Sequence, residues 1–223
     1  MEQYYPTPRE LAEEMLDLFD VQPGADSVVL DPSAGEGHLL RPLRYSRAKL
    51  LAVEINPERA EALRERGIEV MQDDFMKMTE VPHVTHIVMN PPFRHGIRHV
   101  LHAWLCLWGG EIVALLSKDS LERDTEEAAS LRKLIDLHGS VHDMGQPFKD
   151  ALRPCDVEVV AVHLVKKPQQ WFELGDGQVD NTEISFKPND DSALILAPDV
   201  ITARVAHFDR AVALLKKACF VMA

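Results

Sequence analysis

No stretch of this sequence approaches the ~20 consecutive apolar residues of a membrane-crossing helix, so a helical span is excluded. Cysteine is scarce. Cys106, Cys155 and Cys219 lie far apart with no CxxC pair, so neither a disulfide framework nor a zinc site is expected, and a reducing compartment is. The first residues, Met1-Glu2-Gln3-Tyr4-Tyr5-Pro6, have no basic or apolar region of the signal-peptide kind; a cytoplasmic protein is expected. Positive charge is also short, with a formal net charge of −12. Nucleic-acid binding rests largely on phosphate neutralisation, so any such footprint must be local. Two local groups stand out: Arg41, Arg44, Arg47 and Lys49, and Arg94, His95, Arg98 and His99. The bland reading of both is a solvated face offset by nearby acids. Internal repeats and low-complexity tracts are absent.

What is present is ordinary for a folded protein. The 223 residues are 46% hydrophobic and 27% charged, enough to bury the core of one domain with a small appendage. Apolar spacing predicts a helix over 9–20, with Thr7 as its N-cap, Pro8 at its first position and Glu10 closing a capping box. Short apolar strands follow at 27–31, 50–55, 68–72, 85–90 and 111–117, with a weaker one at 140–144 and a valine-rich one at 156–165. Helices are expected after Gly37, from Asn56 to Arg66, over 96–108 and over 125–138. Trp104 and Trp108 are assigned to the core. Strands alternating with helices give an α/β Rossmann-like fold. Its sheet is expected to be seven-stranded and mostly parallel with an antiparallel last strand, helices covering both faces. The core domain is expected to span 1–167. A small C-terminal extension, 168–223, reads as a hairpin plus a helix and carries an acidic stretch from Glu173 to Asp199.

Ligands of open α/β sheets bind outside the carboxyl ends of the strands, and the unusual residues fall there. Asp31 ends the first strand, Glu54 nears the end of the second, Asp74 follows the third and Asn90 closes the fourth. The small-residue loop Ser33-Ala34-Gly35-Glu36-Gly37 lets a ligand approach the backbone. Glu54 stands where an acid accepts from a ribose diol, and Asp74 and Phe75 where a nucleobase would be met. The bland alternative for each acid is a helix N-cap. A dinucleotide is disfavoured: Leu40 occupies the third small position of the Gly-x-Gly-x-x-Gly fingerprint, and Asp31 ahead of the loop suits an ammonium rather than a phosphate.

The fourth strand runs into Asn90-Pro91-Pro92-Phe93. Proline cannot donate to a sheet and fixes its own φ, so the strand must end there in a stiff turn. That turn presents an amide, the Pro91 carbonyl and an aromatic ring together, the acceptor pair and flat face that a planar amino-bearing base needs. His95, His99 and His102 share one helix face, but no Cys or carboxylate joins them at ligand spacing, so no metal is expected.

Taken together, these motifs resemble class I S-adenosyl-L-methionine-dependent methyltransferases of the N6-adenine, gamma-ordered, Asn-Pro-Pro-Phe type. Tyr5-Pro6-Thr7-Pro8 is similar to that family's amino-terminal Thr-Pro motif, Asp31 to Gly37 to its glycine-rich motif, Val53 to Asn56 to its ribose motif, and Asp74-Phe75 to its cofactor-adenine motif. The resemblance implies S-adenosylmethionine as cofactor, contacted by Tyr5, Thr7, Asp31, Ser33, Ala34, Gly35, Gly37, Glu54, Ile55, Asp74, Phe75 and Asn90. It implies catalysis by Asn90, Pro91, Pro92 and Phe93, with Phe93, Arg94 and Arg98 meeting substrate. It further implies nucleic acid as the partner, DNA ahead of RNA. A protein partner or second copy is expected to dock through the C-terminal helix, and no membrane contact is expected. Three alternatives stay open: an RNA adenine enzyme, a protein glutamine enzyme, and a non-catalytic cofactor-binding subunit.

Overall fold

The computed structural model describes residues 5–81, 83–149 and 156–167. The chain divides into two units, Met1–Trp171 and Phe172–Ala223. The expected C-terminal hairpin and helix, and Cys155 and Cys219, lie outside the described residues.

The elements of the first unit are α1 (Arg9–Asp17), β1 (Val28–Asp31), β2 (Lys49–Val53), α2 (Pro57–Glu65), β3 (Glu69–Gln72), β4 (His86–Met89), α3 (Gly96–Cys106), β5 (Gly110–Ser117), α4 (Lys118–Glu122), α5 (Glu126–His138), β6 (Gly139–Gly145) and β7 (Val159–Lys166). The strands form one sheet in the order β3-β2-β1-β4-β5-β7-β6. All pairings are parallel except those of β7, which runs antiparallel to both β5 and β6. The sheet and its antiparallel last strand are as the sequence predicts. The chain reverses direction across the sheet at the β1/β4 junction, where such folds open a crevice.

Alternation along the central strands sends side chains to opposite faces. Leu30, Ile87 and Met89 pack into one apolar cluster with Val100 and Ala103 of α3 and Leu131 of α5. Val29, Val88 and Val113 pack into the other with Leu11 and Met15 of α1 and Leu63 of α2. β5 is buried on both faces, and its Ile112–Leu116 stretch reads as an unbroken apolar run. Helix ends follow local chemistry: Asn56 Oδ1 accepts from Glu58 and Arg59 N–H to start α2, and Thr125 Oγ1 from Ala128 N–H to start α5.

Four local expectations are corrected, and one element appears that the sequence pattern does not mark. First, α1 ends at Asp17 rather than 20, its last turn tightening through Leu18 and Phe19 N–H bonds to Met15 and Leu16 carbonyls. Second, its N-cap is Pro8, with no side-chain cap, so Thr7 closes no capping box. Third, no α-helix follows the glycine loop. Residues 36–40 form turns and Arg41–Tyr45 a 3-10 helix. Gly37 takes a φ of 77°, and Pro42 supplies no N–H to extend an α-helix. Fourth, Trp108 is 53% exposed, because α3 stops at Cys106 and extended Leu107 carries the chain off the helical face. Trp104 is half-buried and packs against the core. The added element, α4, appears within a polar stretch that has no helical apolar period. One partly buried side chain, Leu121, packs that single turn against the core.

Candidate active site

Asp31, Glu54, Asp74 and Asn90 stand at or just past the carboxyl ends of four adjacent strands, β1 to β4. Asp31 is fully buried. Its Oδ1 accepts from Ser33 N–H at 3.1 Å. Burial pushes its carboxyl up to about 7, the Ser33 amide only partly opposing this and neighbouring Glu54 adding to it. Ser33 Oγ, two residues on, is buried with no hydrogen-bond partner. A buried carboxylate without a counter-cation beside an orphaned hydroxyl is an incomplete polar site. An ammonium against Asp31 and a polar group on Ser33 would complete it.

Glu54 is also buried. Gly35 N–H donates to its Oε2 at 2.7 Å and Asn56 N–H to its Oε1 at 2.8 Å, with the Arg59 guanidinium 4.0 Å away. The glutamate thus ties the glycine loop to the start of α2. Each carboxylate oxygen has two lone-pair directions, so both can still accept from a diol. Ala34 N–H bonds the Val53 carbonyl at 3.1 Å, holding the loop against β2. A Cβ at Gly37 would lie 2.8 Å from Leu63, so this close approach to α2 requires glycine. Ile55 follows at 70% exposure, an apolar side chain offered to solvent at the strand ends.

Asp74 serves as an N-cap: its Oδ1 accepts from Met76 N–H at 3.0 Å, and Oδ2 lies 3.4 Å from Lys77 Nζ. The bland reading therefore holds for this acid, which keeps spare acceptor capacity. Phe75 is buried rather than presented. Its ring stacks on His99 and meets His102 edge-on, so its faces are committed to α3. Ile55, by contrast, is an exposed apolar side chain at these strand ends. The two α3 histidines are used locally: His99 Nδ1 bonds the His95 carbonyl and His102 Nε2 the Phe75 carbonyl. Burial lowers the pKa of both rings, only partly opposed by their hydrogen bonds to backbone carbonyls, and so favours their neutral forms.

Asn90 is held by two hydrogen bonds from its amide nitrogen. Its Nδ2 donates to the Tyr5 carbonyl at 3.3 Å and to Thr7 Oγ1 at 3.0 Å. A carbonyl can only accept, so the amide face turned toward Tyr5 must be the NH2. Oδ1 is thereby turned away from the N-terminal segment, as an acceptor. This is the work of Thr7, whose hydroxyl was expected at a helix cap. The turn after Asn90 closes through His95 N–H to the Pro92 carbonyl at 2.9 Å. A Cβ on Gly96 would meet Leu116 at 2.5 Å and Pro91 at 3.6 Å, so α3 begins hard against the prolines.

Phe93 is half-buried in an aromatic cluster. The Tyr5 ring stacks on it at 5.5 Å and 25°, and Phe148 meets it edge-on at 5.9 Å. No sequence pattern marks Phe148, since the segment between β6 and β7 reads as a plain connection. Arg94 and Arg98 are exposed, and Arg98 Nε lies 3.6 Å from Glu127 of α5.

No protein-family model matches this sequence, and neither does any curated protein. Solved structures do share its fold. A dimethyladenosine transferase from Plasmodium falciparum is 16% identical with a TM-score of 0.56, covering 74% of this chain and 64% of its own. The methyltransferase subunit of a type I restriction-modification system from Streptococcus thermophilus is 16% identical with a TM-score of 0.61, over 74% and 45%. An RNA methyltransferase from Salinibacter ruber, in complex with S-adenosyl-L-homocysteine, is 17% identical with a TM-score of 0.51, over 75% and 97%. This chain therefore spans less than two thirds of the first two structures. At these identities the likeness establishes one thing, a Rossmann-like fold shared with those proteins.

Proposed function

We propose that this chain is an S-adenosyl-L-methionine-dependent methyltransferase acting on the N6 amine of adenine in nucleic acid, with DNA as the expected polymer. The observation that carries the reading is Asn90, whose amide is fixed by Tyr5 and Thr7 so that its oxygen is presented as an acceptor. The residues at the strand ends fit the cofactor. Asp31 and Ser33 would hold its methionine end, Glu54 its ribose hydroxyls, and Ile55 and Asp74 its adenine. When bound it supplies an electrophilic methyl group.

The chain's own residues act on the amine. An aromatic amine is a weak nucleophile because its lone pair is drawn into the ring. Hydrogen bonds from its two N–H groups to Asn90 Oδ1 and the Pro91 carbonyl would localise that pair on nitrogen. The same bonds stabilise the positive charge that builds as nitrogen gains a fourth substituent, which is electrostatic preorganisation. An amide is too weak a base to keep the proton that nitrogen then releases, so it passes to solvent. Phe93 would set the plane of the extruded base, a contact worth ~1–3 kcal/mol. RNA is the second reading, favoured by the names of two structures of the same fold, one acting on RNA and one making dimethyladenosine.

Incubation with methyl-labelled cofactor and separate DNA, RNA and protein pools tests this. Label is expected on N6 of adenine in DNA. Asn90→Ala should lower transfer by roughly 100- to 1,000-fold, the scale for losing one preorganised hydrogen-bonding group, with cofactor affinity little changed. Retained turnover in that variant sinks the mechanism. Label in protein alone moves the substrate to glutamine. Label in no pool, with cofactor bound, makes the chain a subunit, and 168–223 would then be its candidate docking segment.

A further inference from the structure

The second region of positive charge has no part in the chemistry above. The 3-10 helix Arg41–Tyr45 and the starts of β2 and β3 enclose a concave surface of about 820 Å³. It is lined by Arg41, Arg44, Lys49 and Arg66 against a single acid, Glu69. Lys49 and Glu69 open their strands, so this surface lies at the opposite strand ends from Glu54. In a chain of 36 acids and 24 Lys and Arg, four cations to one acid invert the local balance. Glu69 neutralises Lys49 at 2.9 Å. Arg41 and Arg44 are exposed and form no ion pair among the described residues.

Beside these cations stands Tyr45, at 79% the most exposed large hydrophobic side chain of the described residues. The Arg44 guanidinium lies 4.3 Å from its ring centroid and also bonds its hydroxyl. An exposed tyrosine braced by arginine gains nothing from the core, and it offers solvent one rigid aromatic face. Phosphate-binding cations with a stacking platform are what sequence-tolerant single-strand binding sites are made of.

We propose that this groove binds the phosphate backbone of a single-stranded nucleic-acid segment, with Tyr45 stacked on one base. The inference takes its polymer class from the proposed function, and places a holding site on the face away from Asn90. It also answers the charge problem: the C-terminal extension, acidic from Glu173 to Asp199, cannot supply the cationic footprint, and this groove can.

The test is anisotropy titration of the full chain with a fluorescein-labelled single-stranded 20-mer, without cofactor, at several salt concentrations. Arg41→Gln combined with Arg44→Gln should weaken binding by about tenfold or more and flatten the log–log salt dependence by about 1.4, two contacts at about 0.7 each. Tyr45→Ala should weaken it roughly 5- to 150-fold with the salt slope unchanged. Both the double variant and Tyr45→Ala should retain the parent's thermal transition. Unchanged affinity and slope in the double variant overturn the proposal, as does parental affinity in Tyr45→Ala. Competition by free inorganic phosphate as effective, charge for charge, as by an unlabelled strand also overturns it, since an anion hole alone would do that. Because the titration reads binding without transfer, absence of methylation would remove the proposed function and leave this result standing.

Discussion

The two ends of the sheet both bury carboxylates, and they treat them differently. At the amino ends of β4 and β5, Glu111 accepts from Asp20 N–H at 2.7 Å, from Val21 N–H at 3.0 Å and from His163 Nε2 at 2.8 Å. Nearby, His86 Nε2 donates to the Val21 carbonyl at 2.7 Å. That end is a closed network which pins the chain after α1 to the sheet. At the carboxyl end, Asp31 has one amide for a partner, a like charge beside it and an unpaired hydroxyl two residues on. The difference teaches where to look. A buried acid with three donors holds the scaffold together, and one held at a cost is a candidate for binding a ligand.

The contrast breaks most sharply at Glu111. Glu111→Ala leaves two amides and His163 without an acceptor, and should cost ~3–5 kcal/mol in urea-induced unfolding. Asp31→Asn should do the reverse, raising stability by ~1–3 kcal/mol at pH 8 because no charge is then buried, while abolishing cofactor binding by calorimetry. A destabilised Asp31→Asn variant would equate the two ends and remove the distinction.

The same carboxyl gives a pH signature. Its folded-state pKa of about 7 lies above the ordinary Asp value of about 4, so between those limits the native state holds a proton that the unfolded chain has released. Stability contributed at Asp31 therefore falls as pH rises through that window, and the full penalty is present above about 7. An ammonium ligand needs the ionised form, so cofactor affinity should drop about tenfold per unit as pH falls below about 7. Asp31→Asn should flatten the stability profile across the window. The smallest effect belongs to Ser33→Ala. With no partner lost, stability should stay within about 0.5 kcal/mol by thermal melt, while cofactor affinity weakens several-fold.

Much of this was legible beforehand because it depends on local order along the chain. Strand, small-residue loop, acid and Asn-Pro-Pro turn each announce themselves within a few residues, and the alternation of strand and helix fixes a parallel sheet with few alternatives. What escaped depends on contacts between distant segments. Thr7 has the spacing of a cap, and only the fold brings its hydroxyl to an amide 83 residues away. Phe148 lies in a connection with no periodicity, yet it walls Phe93. Phe75 follows an acid as a nucleobase contact should, but the neighbouring helix claims its ring first. The missing helix after Gly37 was in principle readable, since Pro42 stands where its backbone donor was needed.

The bonds from Asn90 to Tyr5 and Thr7 carry a consequence for assembly. They span 85 and 83 residues, so the acceptor is aimed only after the start of the chain has come back over a finished β4. Closing a loop of that length is slow beside local folding, and the aimed amide should be among the last features of the core to form. Refolding chains would then regain their sheet, read by far-ultraviolet dichroism, before they regain turnover. Competence would be set by a late docking event at one edge of the chain, leaving an interval in which the protein is structured and inert.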